Sequence, residues 1–309
     1  MTTALYTHKA CLDHDPGHGH PESPARLRAV LAALEAPEFA ALDRREAPRV
    51  TREQLLRVHP ETHVQHVLDA VPQRGHAALD GDTVLSPGSG EAALRAAGAV
   101  CAAIDAVATA EVANAFCAVR PPGHHAEPAQ AMGFCLFNNV AVGALHARAA
   151  HGLQRVAMVD FDVHHGNGNE TVARGDADLF YASTHQWPLY PGTGSAQDHG
   201  RHNNLVNACL RPGAGSEQFR SAFETWILPA LDAFRPDLIL VSAGFDAHAD
   251  DPLAQLDLEE YDYAWVTQQL LKLADRRCGG RLVSSLEGGY DLDALAASAQ
   301  AHVAALMTS

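Results

Sequence analysis

Asp160, Asp162 and His164 stand at every second position of DFDVHHGNGNE (160–170), directly after the apolar run Val156-Ala157-Met158-Val159. Alternate residues of an extended chain point to one side, so these three side chains are expected to share a face at the end of a buried strand. Two carboxylates so close repel, and a cation is the natural compensation. Asp162 and His164 with one further carboxylate make three protein ligands and leave one zinc position open, the usual catalytic arrangement. Asp246, in GFDAHADDP (244–252) after another apolar run, is the best third ligand.

Metal-assisted hydrolysis also needs a base for water and an acid for the leaving group. His124 and His125 follow Arg120-Pro121-Pro122-Gly123, and an imidazole can serve in either role. Tyr290 follows Gly288-Gly289, so its phenol can be swung in to donate to a developing oxyanion opposite the metal. An isolated Asp-x-His is an ordinary hydrogen-bonded loop, and a lone tyrosine after glycines is an ordinary turn residue. Their recurrence at several strand ends is what points to a site.

The elements that must position these residues alternate along the chain. Residues 23–36 carry Leu27, Val30, Leu31 and Leu34 at the spacing of an amphipathic helix. Residues 91–109 are Ala-rich and helical, and 138–151 read as a helix closed by Gly152. Ser216 is expected to cap a helix bearing Phe219, Phe223, Trp226, Ile227 and Leu231, kinked at Pro229. Residues 258–276 and 292–306 are two more helices. Strands are expected at 114–120, 155–162, 179–184, 237–243 and 281–287, the first stopped by Pro121-Pro122-Gly123. Strand, loop and helix in repetition predict an α/β fold, one domain over 1–309, with a parallel sheet and helices on both faces. Ligands of such sheets bind beyond the carboxyl ends of the strands, where the polar clusters fall.

Composition narrows the function. The apolar fraction of 47% over 309 residues supports one large core. No run of apolar residues is long enough to span a membrane. The start, MTTALYTHKACLDHD, lacks the basic-then-apolar order of a signal peptide, so the protein is read as cytoplasmic. A net charge of −15 and no lysine or arginine cluster argue against nucleic acid as a partner. None of the six cysteines forms a Cys-x-x-Cys pair, so no thiolate zinc site is expected, and Cys101, Cys117 and Cys135 read as small core residues.

Taken together, HPESPARL (20–27), RPPGHHAEPAQAMGFCLFNNVAV (120–142), VDFDVHHGNGNE (159–170), YPGTG (190–194), SAGFDAHADDPL (242–253) and LEGGYDL (286–292) resemble the histone deacetylase superfamily, specifically its class II-like bacterial members. The resemblance covers almost the whole chain and implies the arginase–deacetylase fold. It implies zinc on Asp162, His164 and Asp246, a catalytic pair His124 and His125, and Tyr290 as oxyanion donor. Asp160 is implied to orient His124 and Asn167 to contact His125; class I members carry aspartate where Asn167 stands. Phe134 and Tyr190 match the walls of a narrow acyl-lysine tunnel, with Tyr190 in place of the common phenylalanine. Gly133 is implied to meet the substrate amide through its backbone, and Asp82 to lie at the rim. Potassium is implied at Asp160, Asp162, His164, Ser183 and Thr184, which accounts for one carboxylate more than a catalytic zinc requires. His124 facing charged Asp160 is expected to favour imidazolium, and His125 facing neutral Asn167 to be the better base.

The expected reaction is hydrolytic removal of acetyl or another acyl group from a lysine side-chain amide. The nearest alternative is an acetylpolyamine amidohydrolase with the same apparatus. Polyamine-specific relatives can carry a gatekeeper glutamate where this chain has Leu253, which favours acyl-lysine; a small acylated amine stays open, as does the oligomeric state. A dinuclear arginase-type site needs more bridging carboxylates and fits the His-His pair poorly. A binding module with a dead site would lack Tyr290 or a zinc ligand, and none is missing. PGTG (191–194) and PGAGS (212–216) lack the spacing and lysine of a phosphate loop and read as turns.

Overall fold

Val156-Ala157-Met158-Val159 and the start of Leu238–Ala243 are apolar without alternation, the pattern of strands covered on both faces. The computed structural model describes residues 2–308. Its strands are Thr3–Thr7 (β1), Asp43–Glu46 (β2), Ala77–Ala78 (β3), Val84–Leu85 (β4), Asn114–Cys117 (β5), Val156–Asp160 (β6), Leu179–Gln186 (β7), Leu205–Leu210 (β8), Leu238–Ala243 (β9) and Leu282–Leu286 (β10). β3 and β4 form a small antiparallel ribbon, and the other eight make one sheet in the order β2-β1-β5-β10-β9-β6-β7-β8. Every neighbouring pair in that sheet is parallel. β5, β10, β9 and β6 are adjacent and buried at every residue. Their carboxyl ends therefore open side by side on one edge.

Helices flank the sheet. Ser89–Ala108 packs on Asn139–His151, and Leu292–Leu306 packs on both Glu260–Cys278 and Pro24–Ala33. Asn139–His151 ends at Gly152 in the left-handed conformation (φ +65°), which glycine adopts without a Cβ penalty. A smaller apolar cluster, including Val64, Val67, Leu136, Phe137 and Val142, backs the later part of the loop after β5.

Several sequence expectations are corrected. Ser216 does not cap its helix: Gly215 holds that position, and the Ser216 hydroxyl donates to Asp262 Oδ2 at 2.6 Å. The break near Pro229 is a π-helical segment, Phe223–Ile227, ahead of the proline. The missing N–H and the ring act on carbonyls one turn back, and a wider turn absorbs both. β1, β2 and β8 are strands that the periodicity does not announce. β2, Asp-Arg-Arg-Glu, is a charged edge strand without an apolar pattern.

Candidate active site

β6 ends at Asp160, so Asp162 and His164 lie in the turn beyond it rather than on an extended strand. Carboxylate-capped turns, not the strand pleat, bring them together. Asp160 Oδ1 accepts from the Asp162 N–H (3.2 Å), and Asp162 Oδ1 accepts from the His164 N–H (2.9 Å). Asp246, just past β9, accepts from the Val163 N–H at 2.9 Å, and Asp162 Oδ2 accepts from the Gly288 N–H at 2.8 Å. The loops after β6, β9 and β10 are thereby tied to one point.

His164 Nδ1 lies 3.1 Å from Asp162 Oδ1 and 3.1 Å from Asp246 Oδ2. Burial disfavours the imidazolium, but hydrogen bonds to and charge from the two carboxylates outweigh it and raise its pKa to about 10. Burial and the Asp162 charge push the Asp246 carboxyl up. One imidazole nitrogen and two carboxylates, within 4.8 Å of one another, are a donor set that suits zinc. The backbone is shaped around them: a Cβ on Gly244 would come within 2.1 Å of Asp162 Oδ2, and one on Gly288 within 2.0 Å of Asp246 Oδ2.

His124 and His125 occupy the loop after β5, both almost fully buried. His124 Nδ1 donates to Asp160 Oδ2 at 3.1 Å, and its Nε2 is 3.8 Å from Asp162 Oδ2. Burial opposes its charge, yet Asp162 and Asp160 outweigh burial and hold its pKa well above the ordinary value. His125 Nδ1 donates to Asn167 Oδ1 at 2.8 Å. Burial, then the neighbouring His124 and His164, keep His125 neutral with a pKa well below the ordinary value. Burial also raises the Tyr290 phenol well above its usual pKa; Arg26 opposes this, and Asp246 and Asp162 add to it. Tyr290 thus keeps its proton available to donate.

Phe134 and Tyr190 stand beside the histidine pair and Tyr290. The Tyr190 ring stands at 89° to the His125 ring, centroids 5.1 Å apart, and Phe134 meets Tyr290 edgewise at 6.0 Å. Gly133 and Phe134 both have positive φ, and a Cβ on Gly133 would come 2.5 Å from His125 Cδ2. Asp82 takes a hydrogen bond from the Gly133 backbone, and the Phe134 N–H donates to Thr83 Oγ1 at 3.2 Å. Asp82 therefore lies against the Gly133-Phe134 turn. Ser183 is level with Asp160 in the β6–β7 register, and the adjacent Thr184 Oγ1 is buried with no hydrogen-bond partner among the described residues. Leu253 is half-buried, its N–H donating to Asp251 Oδ1 at 2.9 Å.

Sequence reasoning missed the supporting carboxylates. Glu287 is buried, its Oε2 accepting from the N–H groups of Gly123 (2.6 Å) and His124 (3.2 Å), and burial chiefly raises its pKa to about 7. Asp251 Oδ2 accepts from the Tyr290 N–H at 2.7 Å. Arg26 donates to the carbonyls of Glu287 and Gly289 and lies over the Tyr290 ring. Buried charge is costly unless paired, so Glu22 beside Arg26 and Arg120 in the sequence motifs was an available signal. A second His-His-Asp group, His146 and His151 on an exposed Asp105, joins the helices Ser89–Ala108 and Asn139–His151 and is separate from the loops that carry Asp162, His164 and Asp246.

Comparisons with known proteins bear on the family and the fold. A family model described as a histone deacetylase domain matches residues 20–306. The chain is 43% identical to a histone deacetylase-like amidohydrolase of Pseudomonas aeruginosa, covering 88% of this chain and 73% of that one. It is 39% identical to histone deacetylase 14, chloroplastic, of Arabidopsis thaliana, covering 95% and 74%. The crystal structure of the HDA15 HD domain superposes with a TM-score of 0.94 at 37% identity, covering 100% of this chain and 88% of that one. The single parallel sheet flanked by helices is thus the arginase–deacetylase fold.

Proposed function

The chain belongs to the histone deacetylase family, and from that premise we propose that it is a zinc-dependent hydrolase acting on acylated lysine side chains of peptides. The observation that carries the reading is the convergence of three loops on one point: His164 is 3.1 Å from Asp162 and Asp246, with the buried His124–His125 pair beside them. Zinc on Asp162, His164 and Asp246 supplies, when bound, a Lewis acid that polarises the amide carbonyl and acidifies a water. Potassium is assigned to Asp160, Asp162, His164, Ser183 and Thr184; Ser183, level with Asp160 on the neighbouring strand, supports the assignment.

The chain's own residues divide the remaining work. Phe134 and Tyr190 admit a narrow side chain and exclude water around it. The Gly133 backbone and Asp82 orient the substrate at the mouth. Tyr290 donates to the carbonyl oxygen as negative charge develops there. Neutral His125, its Nδ1–H committed to Asn167, takes a proton from the attacking water at Nε2. His124, held as imidazolium by Asp160 and Asp162, gives a proton to the departing amine.

Leu253 favours acyl-lysine over acetylpolyamine, since a leucine offers no charge to a distal ammonium. The zinc-loaded protein is to be tested against acetyl-lysine peptides, longer acyl-lysines and acetylpolyamines. Acyl-lysine peptides are expected to be turned over best; a wide preference for acetylspermidine would replace this reading with the amidohydrolase one.

A further inference from the structure

An asparagine amide has two faces, and only one of them makes His125 a base. With Oδ1 toward the ring, as observed at 2.8 Å, the imidazole must carry its proton on Nδ1, leaving the Nε2 lone pair free. With the amide turned over, Nδ2 would face the ring. Nδ1 would then have to be bare and Nε2 protonated, and the base would be lost. Unlike an aspartate, Asn167 cannot enforce the productive tautomer by itself.

Its other end is read by groups that only accept. Asn167 Nδ2 donates to Glu127 Oε1 at 2.7 Å and to the His125 carbonyl at 3.2 Å, with Met132 Sδ at 3.4 Å. Asn167 is buried, so an unpaired amide oxygen has no bulk water to turn to. Turning the amide would press Oδ1 against a carboxylate and a carbonyl. The Glu127 backbone is held in a tight turn: its N–H donates to the Gln130 carbonyl at 2.9 Å and its carbonyl accepts from the Gln130 N–H at 3.4 Å. We propose that Glu127 is a positioning residue for catalysis, acting through the Asn167 amide to fix the Nδ1–H tautomer of His125. The proposal deepens the reading of His125 as the base and rests on it.

The distinguishing feature is dependence on what occupies position 167. Glu127→Gln presents an amide that can either accept from or donate to Asn167, so the orientation is no longer dictated by charge. Turnover of an acetyl-lysine peptide is expected to fall by about tenfold with KM little changed. In Asn167→Asp the carboxylate holds Nδ1–H directly, but faces the Glu127 carboxylate; adding Glu127→Gln there is expected to raise turnover instead of lowering it. Such a reversal of sign is a coupling that a merely structural glutamate does not produce. Tautomers are read without any substrate, from ¹⁵N-histidine spectra of the zinc-loaded protein, with His125→Gln assigning the signal. Wild type is expected to show the Nδ1–H form and Glu127→Gln a mixture with Nε2–H. Unchanged His125 signals in Glu127→Gln, or a Glu127→Gln loss of the same size and sign in both backgrounds, would overturn the proposal. Failure on acetyl-lysine peptides with the expected spectra would instead count against the substrate reading.

Discussion

The rings of His124 and His125 lie 4.0 Å apart, centroid to centroid, yet their charge preferences are opposite. His124 Nδ1 faces a carboxylate and His125 Nδ1 faces an amide. Two imidazolium ions at this separation repel, so the first protonation suppresses the second. His125→Ala is therefore expected to lower turnover by about 10²–10⁴ and to abolish the acid limb of the kcat/KM profile, which reports the base. His124→Ala is expected to remove the alkaline limb. Loss of the same limb in both variants would reject the division of roles.

Metal content is the second expectation. The wild type is expected to hold about one zinc per chain, and Asp162→Ala and Asp246→Ala to lose it, since each removes one of the three proposed protein ligands. Elemental analysis showing full zinc in both would reject the assignment.

The site was legible in the sequence because its residues recur at the ends of apolar runs, and a parallel sheet sends those ends to one edge. Asp246 is drawn to Asp162 and His164, residues far away in the chain, by the adjacency of β9 and β6. The means of alignment was less legible. Asp162 lies beyond the strand, and its orientation depends on backbone N–H groups of His164 and Gly288 that no spacing rule specifies. Glu127 and Asp251 meet the site only by accepting hydrogen bonds, from the Asn167 amide and the Tyr290 N–H, so residue type alone does not set them apart. β8 was missed because Leu-Val-Asn-Ala-Cys-Leu is half exposed and breaks its alternation.

Specificity is the third expectation. Leu253→Glu places a carboxylate on the loop that Asp251 ties to Tyr290, and is expected to shift relative kcat/KM toward acetylspermidine. Paired kinetics on a peptide and on acetylspermidine measure it; an unmoved ratio would remove Leu253 from substrate selection.

Acid stability is the fourth. His302 is buried among Phe116, Phe161 and Phe245, between Thr267 Oγ1 at 2.7 Å and Ser284 Oγ at 2.8 Å. Burial lowers its pKa to about 3, and likewise that of His185 to about 3 and His59 to about 4. The unfolded chain binds these protons first, so the stability is present above about pH 6.5 and lost as pH falls through the window below it, by about 1.4 kcal/mol per pH unit per histidine. Urea unfolding across that window is expected to give a shallower slope for His302→Gln, by about one proton. An unchanged slope would show that His302 does not contribute.

Tyr290→Phe tests the central claim most directly. The hydroxyl is assigned to an oxyanion that exists only as the amide is attacked, while the ring keeps its packing against Phe134 and Arg26. Zinc content, folding and KM are expected to change little, and turnover of an acetyl-lysine peptide to fall on the order of 10²–10³. Turnover within about threefold of wild type at full zinc would contradict the account, since loss of an oxyanion donor costs far more.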